Sequence, residues 1–253
     1  MNTDKENKLD VRIYHTRKEM GTAAAEKFAK ELNKLLSTKD EVNVVFAAAP
    51  SQNEFLEALR YENLDWQRIN AFHMDEYIGL AADAPQGFGN FLKERLFDKF
   101  NFKSVNYLNG NADDIEVECA RYTALLQQYP ADIVCMGIGE NGHLAFNDPP
   151  VADFKDKHTV KVVELDEVCR QQQVNDGCFA HLTEVPKQAL TLTIPALLNA
   201  KYINCVVPGP TKANAVANTL NSAISTENPA TILRKHPQAV LFLDQDSSKL
   251  IHS

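Results

Sequence analysis

The chain has 253 residues, 44% of them hydrophobic, and a formal net charge of −8 at pH 7, enough apolar material for a sizeable core in one large α/β domain. The acidic balance argues against nucleic acid as a partner, yet it says nothing against a small phosphorylated ligand, which needs only a local cluster of donors. No apolar run is long enough to span a bilayer, MNTDKENKLD lacks the apolar stretch of a signal peptide, and the five cysteines are an odd number without C-x-x-C spacing. The expectation is therefore a soluble, cytoplasmic protein with reduced core thiols, no membrane partner and no zinc.

In chain order, residues 11–14 read as a short strand, and Thr16 with Glu19 forms a capping box for a helix whose Met20, Ala24, Phe28, Leu32 and Leu35 share one face. Residues 42–46 are a buried strand running into Ala47-Ala48-Ala49-Pro50-Ser51-Gln52 and then an amphipathic helix bearing Phe55, Leu56 and Leu59. A strand, a small-residue turn and a helix start make an anion site; the same pattern is also an ordinary strand–helix turn with Ser51 as its N-cap. The strand at 69–74 leads into Asp75 and Glu76. At the carboxyl end of a buried strand a carboxylate stands where open α/β sheets place ligands, and can serve as a general base or cap the next turn.

A helix around 88–97, a turn at 108–111 and a helix from about 113 to 128 precede the most informative stretch, IVCMGIGENGHLAFNDPP at 133–150. A short apolar strand is followed there by Gly137, Gly139 and Gly142, which let backbone approach a ligand, and then by His143, Asn147 and Asp148. An imidazole titrating near neutrality beside a carboxylate is a proton-transfer cluster. The glycine spacing is that of a dinucleotide fingerprint, but Asn147-Asp148-Pro149-Pro150 blocks the helix such a fingerprint opens, so a nicotinamide cofactor is set aside. Strands are expected at 159–163, 189–193, 202–207 and 240–243, a polar loop or lid at 169–179, and a short helical turn at 194–200. Thr211 and Lys212 open an alanine-rich helix, where amides, hydroxyl and ammonium can meet an anion. The alternation implies a mostly parallel sheet with helices on both faces.

Five segments, MDEYIGL at 74–80, YLNGNADDIEVECARY at 107–122, GIGENGHLAFNDP at 137–149, VPKQALTLTIPALL at 185–198 and PGPTKANAV at 208–216, together resemble the glucosamine-6-phosphate deaminase (isomerase) family, which is related to the 6-phosphogluconolactonases. The resemblance covers nearly the whole chain. It implies a single-domain modified Rossmann-like fold spanning residues 1–253 and conversion of an amino-sugar 6-phosphate to a ketose 6-phosphate plus ammonia. It implies no metal or organic cofactor, a small-molecule sugar phosphate as partner, and often a homo-oligomer. By the same resemblance Asp75 is the base that moves a proton between C2 and C1, and His143 opens the sugar ring, supported by Asp148 and Asn141. Lys212 falls on the phosphate lysine, and Ala48, Ala49 and Ser51 fall where the first phosphate loop lies, with Gly139 and Gly142 in the ligand-facing loop.

The chain departs from that pattern in four places. Asn141, two before the histidine, stands where the family often has aspartate; it can still orient the imidazole but bears no charge. Asp148 is one methylene shorter than the usual glutamate, a displacement of about 1 Å. The phosphate loop carries alanines where the family has glycines, and alanine does not easily take positive φ. The family's phosphate arginine has only Arg170 as a counterpart within 169–179. Glucosamine 6-phosphate and galactosamine 6-phosphate both stand as substrates. Tyr77 after the acidic pair, where the lactonases carry arginine, argues against lactone hydrolysis, and a non-catalytic sugar-phosphate sensor is the other alternative.

Overall fold

The computed structural model describes residues 9–251. Residues 1–8, most of the stretch read above for a signal peptide, lie outside the described residues. In chain order the first half comprises β1 (Asp10–Tyr14), α1 (Arg17–Leu36), β2 (Val42–Phe46), α2 (Asn53–Ala58), β3 (Ile69–His73), β4 (Asp75–Tyr77), α3 (Phe88–Arg95), β5 (Ser104–Asn106) and α4 (Ile115–Gln128). The second half comprises β6 (Ile133–Met136), β7 (Val160–Glu164), α5 (Glu167–Asn175), β8 (Gln188–Leu192), α6 (Ile194–Leu198), β9 (Tyr202–Val207), α7 (Ala213–Asn221), β10 (Ala239–Asp244) and α8 (Gln245–Ser248).

Seven strands make one sheet in the order β1-β10-β9-β6-β2-β3-β5, and every neighbouring pair in it is parallel. β2, β3 and β6 are buried along their whole lengths, as parallel strands should be when helices cover both faces. On one face α1 packs against α2 and the sheet, its Thr16–Glu19 capping box formed as expected. Phe28 on that helix meets Phe46 and Phe55 with ring centroids 6.1 Å apart in both cases, a cluster whose truncation costs about 3–5 kcal/mol per ring. On the other face Tyr122 of α4 stands edge-on to Phe72 of β3, and its hydroxyl donates to the carbonyl of His73 (2.9 Å) while accepting the His73 amide (3.0 Å).

The topology fixes where a ligand can sit. From β2 the chain moves outward to β3 and β5, returns to β6 on the opposite side of β2, and then moves away through β9 and β10. The crevice between the carboxyl ends of β2 and β6 is thus the switch point, the usual ligand position in open α/β sheets. The turns leaving those two strands are the alanine turn at 47–52 and the glycine loop at 137–143.

Two features differ from the sequence expectation. The strand ends at His73, and Asp75 opens β4, which leaves the parallel sheet and joins an antiparallel sheet of order β4-β8-β7. The 169–179 segment is largely helical: α5 runs to Asn175 and Asp166 caps it, its carboxylate accepting the Cys169 amide at 2.7 Å. Glutamines are good helix formers, and a cap three residues before the first buried position outweighs the polar composition that suggested a loop.

Candidate active site

The small sheet brings the chemistry together. Thr191, at the middle of the fully buried end of β8, pairs with Asp75 across the β4–β8 ladder, while its hydroxyl accepts the Phe146 amide at 3.1 Å. Asn147 adds a second tie, donating its side-chain amide to the carbonyls of Leu144 and Leu192, each at 2.8 Å. One strand therefore holds both Asp75 and the segment that follows His143.

Asp75 is 7% exposed and faces the crevice. Its carboxyl makes no hydrogen bond or ion pair among the described residues, and burial, with help from the neighbouring Glu76 charge, pushes it well above the usual carboxylate range. The backbone at this point is held by His73, whose Nδ1 lies 2.9 Å from the carbonyl of Asp75. Its Nε2 accepts the Leu108 amide at 3.0 Å, so the proton is on Nδ1 and donates to Asp75. Burial keeps that imidazole neutral by lowering its pKa. Glu76 points away from the crevice and accepts the amides of Phe88 and Gly89, capping the start of α3. Of the acidic pair, then, the first residue faces the crevice and the second is a cap.

His143 is partnered on one side and open on the other. Its Nδ1 lies 2.9 Å from both the Asn141 side-chain oxygen and an Asp148 oxygen. Asn141 donates its amide to the same Asp148 oxygen at 2.8 Å and accepts the His143 backbone amide at 3.0 Å. With the proton held on Nδ1, Nε2 is left to face the crevice. Burial works to raise the Asp148 carboxyl, but the His143 charge and hydrogen bonds from His143, Asn141 and Cys169 outweigh it and hold it below the usual range. The shorter aspartate therefore still reaches the imidazole.

Gly139 is required by close approach, since a Cβ there would lie 2.2 Å from a His143 ring carbon. Gly142 has φ +87° and gives the loop its turn. Among the residues expected to meet the ligand, Ala48, Ser51, Gly139 and Lys212 line the crevice, whereas Ala49 and Gly142 do not. Ser51 does not cap a helix: the turn at 50–52 starts from Ala49, and the Ser51 hydroxyl accepts from Gln52 while facing the crevice. Ala145, also on the wall, holds φ +50°, a strain of about 1 kcal/mol for a non-glycine residue.

Lys212 lines the same crevice as His143. It is 5% exposed, and its ammonium forms no hydrogen bond or ion pair among the described residues. Burial lowers its pKa, partly offset by the charges of Asp176 and Glu140. Arg170 does not join it; the guanidinium is turned the other way and donates to the carbonyls of Leu182 and Val185. Gln172 and Asp176 line the crevice instead.

Composition and motif reading had missed α5 as a source of site residues. Cys169, Gln172 and Asp176 recur at i, i+3 and i+7, one face of a helix, and that spacing was the available signal. The Cys169 thiol, 1% exposed, donates to Asp148, and burial together with that carboxylate pushes it far above the ordinary thiol range. Donor atoms of His143, Asp148 and Cys169 lie within 4.8 Å of one another, the one such trio among the described residues. A thiol that keeps its proton is a hydrogen-bond donor here, whereas a metal ligand would have to lose it.

Residues 15–242 match the family model described as glucosamine-6-phosphate isomerases/6-phosphogluconolactonase. The chain belongs to that family. Its similarity to the glucosamine-6-phosphate deaminase of Listeria innocua is 35% identity over 229 residues, 90% of this chain and 96% of the relative. To the glucosamine-6-phosphate deaminase of Streptococcus sanguinis it is 34% over 225 residues, 89% and 94% of the two chains. A solved monomeric glucosamine-6-phosphate deaminase superposes with TM-score 0.86 at 32% identity, covering 96% of this chain and all of that one. The 6-phosphogluconolactonase of Thermotoga maritima superposes at 0.75 with 23% identity, covering 94% and 100%, and shares the fold. Among the described residues of this family member no helix is long and apolar enough to cross a membrane.

Proposed function

We propose that the chain converts an aldohexosamine 6-phosphate, glucosamine 6-phosphate or its C4 epimer, to the ketose 6-phosphate and ammonia. The observation that carries this reading is one crevice lined by an unpartnered buried carboxyl, an imidazole and an unpartnered buried ammonium. Lys212 anchors the phosphate, which places the sugar's other end at Asp75 and His143. His143 takes the proton of the C1 hydroxyl on Nε2 and delivers it to the ring oxygen as the bond from C1 to that oxygen breaks, opening the hemiacetal to the aldehyde. Asp75 removes the C2 proton, giving an enolamine, and returns a proton at C1, leaving an imine at C2. Water adds to that imine, the C2–N bond breaks, and ammonia leaves, so the net step is hydrolytic although an isomerisation lies within it. A carboxyl raised toward neutrality suits a base that must give its proton back.

The test is ammonia release from the purified protein offered glucosamine 6-phosphate and galactosamine 6-phosphate, with 6-phosphogluconolactone hydrolysis as a third arm. Ammonia from either sugar is the expected result. Lactone hydrolysis without ammonia, or phosphosugar binding with no product, would overturn the reading in favour of a lactonase or a sensor.

A further inference from the structure

The Lys212 end of the crevice is built from one cation and two carboxylates. Asp176 lines the wall beside Lys212, and Glu140 contributes a buried side-chain oxygen, Oε1, without a hydrogen-bond partner. Gln172 fixes the arrangement: its Oε1 accepts the Glu140 backbone amide at 2.8 Å, which turns its NH2 toward Asp176 at 3.3 Å. The amide's acceptor is thereby consumed, and its donor serves Asp176 rather than a ligand. What remains for an incoming group is the unpartnered Lys212 ammonium, the Ser51 hydroxyl, the unpartnered Glu140 Oε1 and the Asp176 carboxylate, whose remaining lone pairs can take a donor. A group carrying only negative charge satisfies the lysine and is repelled by the aspartate.

We propose that this end selects a terminal group that accepts a hydrogen bond from Lys212 and donates one to Asp176, which a singly protonated phosphate monoester or a free C6 hydroxyl does and a phosphate dianion does not. The inference rests on the reading that the sugar's C6 substituent points at Lys212. A phosphate monoester loses its second proton near pH 6, so the affinity of the wild-type protein for a phosphosugar falls as pH rises from about 6 to about 8. The other groups facing Lys212 are Glu140 and Cys169, and Asp75 and His143 share the crevice. Titration of those four is common to wild type and an Asp176 variant. That of Lys212 is not, because the Asp176 charge raises its pKa, and its loss makes the ammonium give up its proton more readily, which weakens binding as pH rises and so opposes the flattening expected of the variants.

Glucitol 6-phosphate, which has neither the amine nor the ring and so reports binding without turnover, is the probe, titrated from about pH 5.5 to about pH 8 against wild type, Asp176→Asn and Asp176→Ala. The expected result is a dissociation constant rising about tenfold across that range in wild type, and little or no rise in either variant, with both binding about tenfold tighter than wild type at the upper end. Free glucosamine and glucosamine 6-sulfate, a monoanion without an ionisable proton, form the other arms. Tighter binding of free glucosamine than of the phosphate identifies the hydroxyl as the group selected, and sulfate binding that is weak and flat with pH supports the protonated phosphate. Variants that track wild type at every pH, or that bind the phosphate more weakly, overturn the proposal. Because no arm depends on ammonia release, the pH effect can hold while the deaminase reading fails, and the reverse.

Discussion

Asp75, at the first position of β4, and Asp148, five residues after the glycine loop ends at His143, are 7% and 2% exposed, two carboxylates buried in the same site. Burial alone would raise both. Asp148 accepts from His143, Asn141 and Cys169 and is held below the usual range, whereas the Asp75 carboxyl accepts no hydrogen bond among the described residues and rises well above it. The difference is one of partners and not of depth. It assigns a permanent charge that orients an imidazole to one residue and a titrating base to the other.

Asp75→Asn is the sharpest way to break the comparison, because it keeps the shape and deletes the proton acceptor. Turnover should fall by about 10²–10⁴-fold with KM nearly unchanged. Stability should move the opposite way. A carboxyl raised in the fold holds its proton more tightly folded than unfolded, so stability falls as pH climbs from the ordinary carboxylate value through the raised one. The variant lacks that cost, and its melting temperature should exceed that of wild type at about pH 8, the gap narrowing toward about pH 4. Calorimetry at the two values reads it directly; a variant less stable than wild type at the higher pH would mean that Asp75 is not raised.

His143→Gln leaves Asp148 its charge and removes the group it orients. Activity on the closed-ring sugar should drop by about 10²-fold, the scale of a lost general acid, and much less on the transient open-chain form generated in situ. An equal loss on both forms would take ring opening away from His143. Lys212→Ala tests the phosphate anchor: it should raise KM for a phosphosugar by about 10–100-fold, the weight of a charged hydrogen bond, while turnover at saturation changes little. The smallest effect is expected at Cys169. Cys169→Ala deletes one donor to Asp148, so that carboxyl moves up and the acid limb of the kcat/KM profile shifts to higher pH, with a loss of about threefold at neutrality. Cys169→Ser supplies a hydroxyl and should restore the profile. Ala and Ser behaving alike would reduce the thiol to packing.

Much of this contrast was legible from residue order. The glycine loop ending in His143, the acidic residue just after a buried strand, and a lysine opening an alanine-rich helix each carry their chemistry locally, and the parallel sheet follows from the alternation of buried runs with amphipathic segments. The partners that separate Asp75 from Asp148 were not legible. The β4–β8 ladder pairs residues 75 and 191, a distance along the chain that no periodicity reports. His73 looked like the interior of a strand, yet its ring pins the Asp75 carbonyl through a contact with Leu108. The α5 face of Cys169, Gln172 and Asp176 was hidden by a composition that reads as loop, and Arg170, the residue singled out there, lies on the helix's other side.

The account's central claim is that the unpartnered carboxyl of Asp75 moves the C2 proton. The most direct test is exchange of that proton in deuterated water, followed alongside ammonia release for wild type and Asp75→Asn with glucosamine 6-phosphate at saturation. Wild type should release ammonia, and the Asn variant should bind the sugar while showing neither C2 exchange nor ammonia above about a hundredth of the wild-type rate. Exchange in the variant within tenfold of wild type would contradict the claim and leave the base to be sought elsewhere in the crevice.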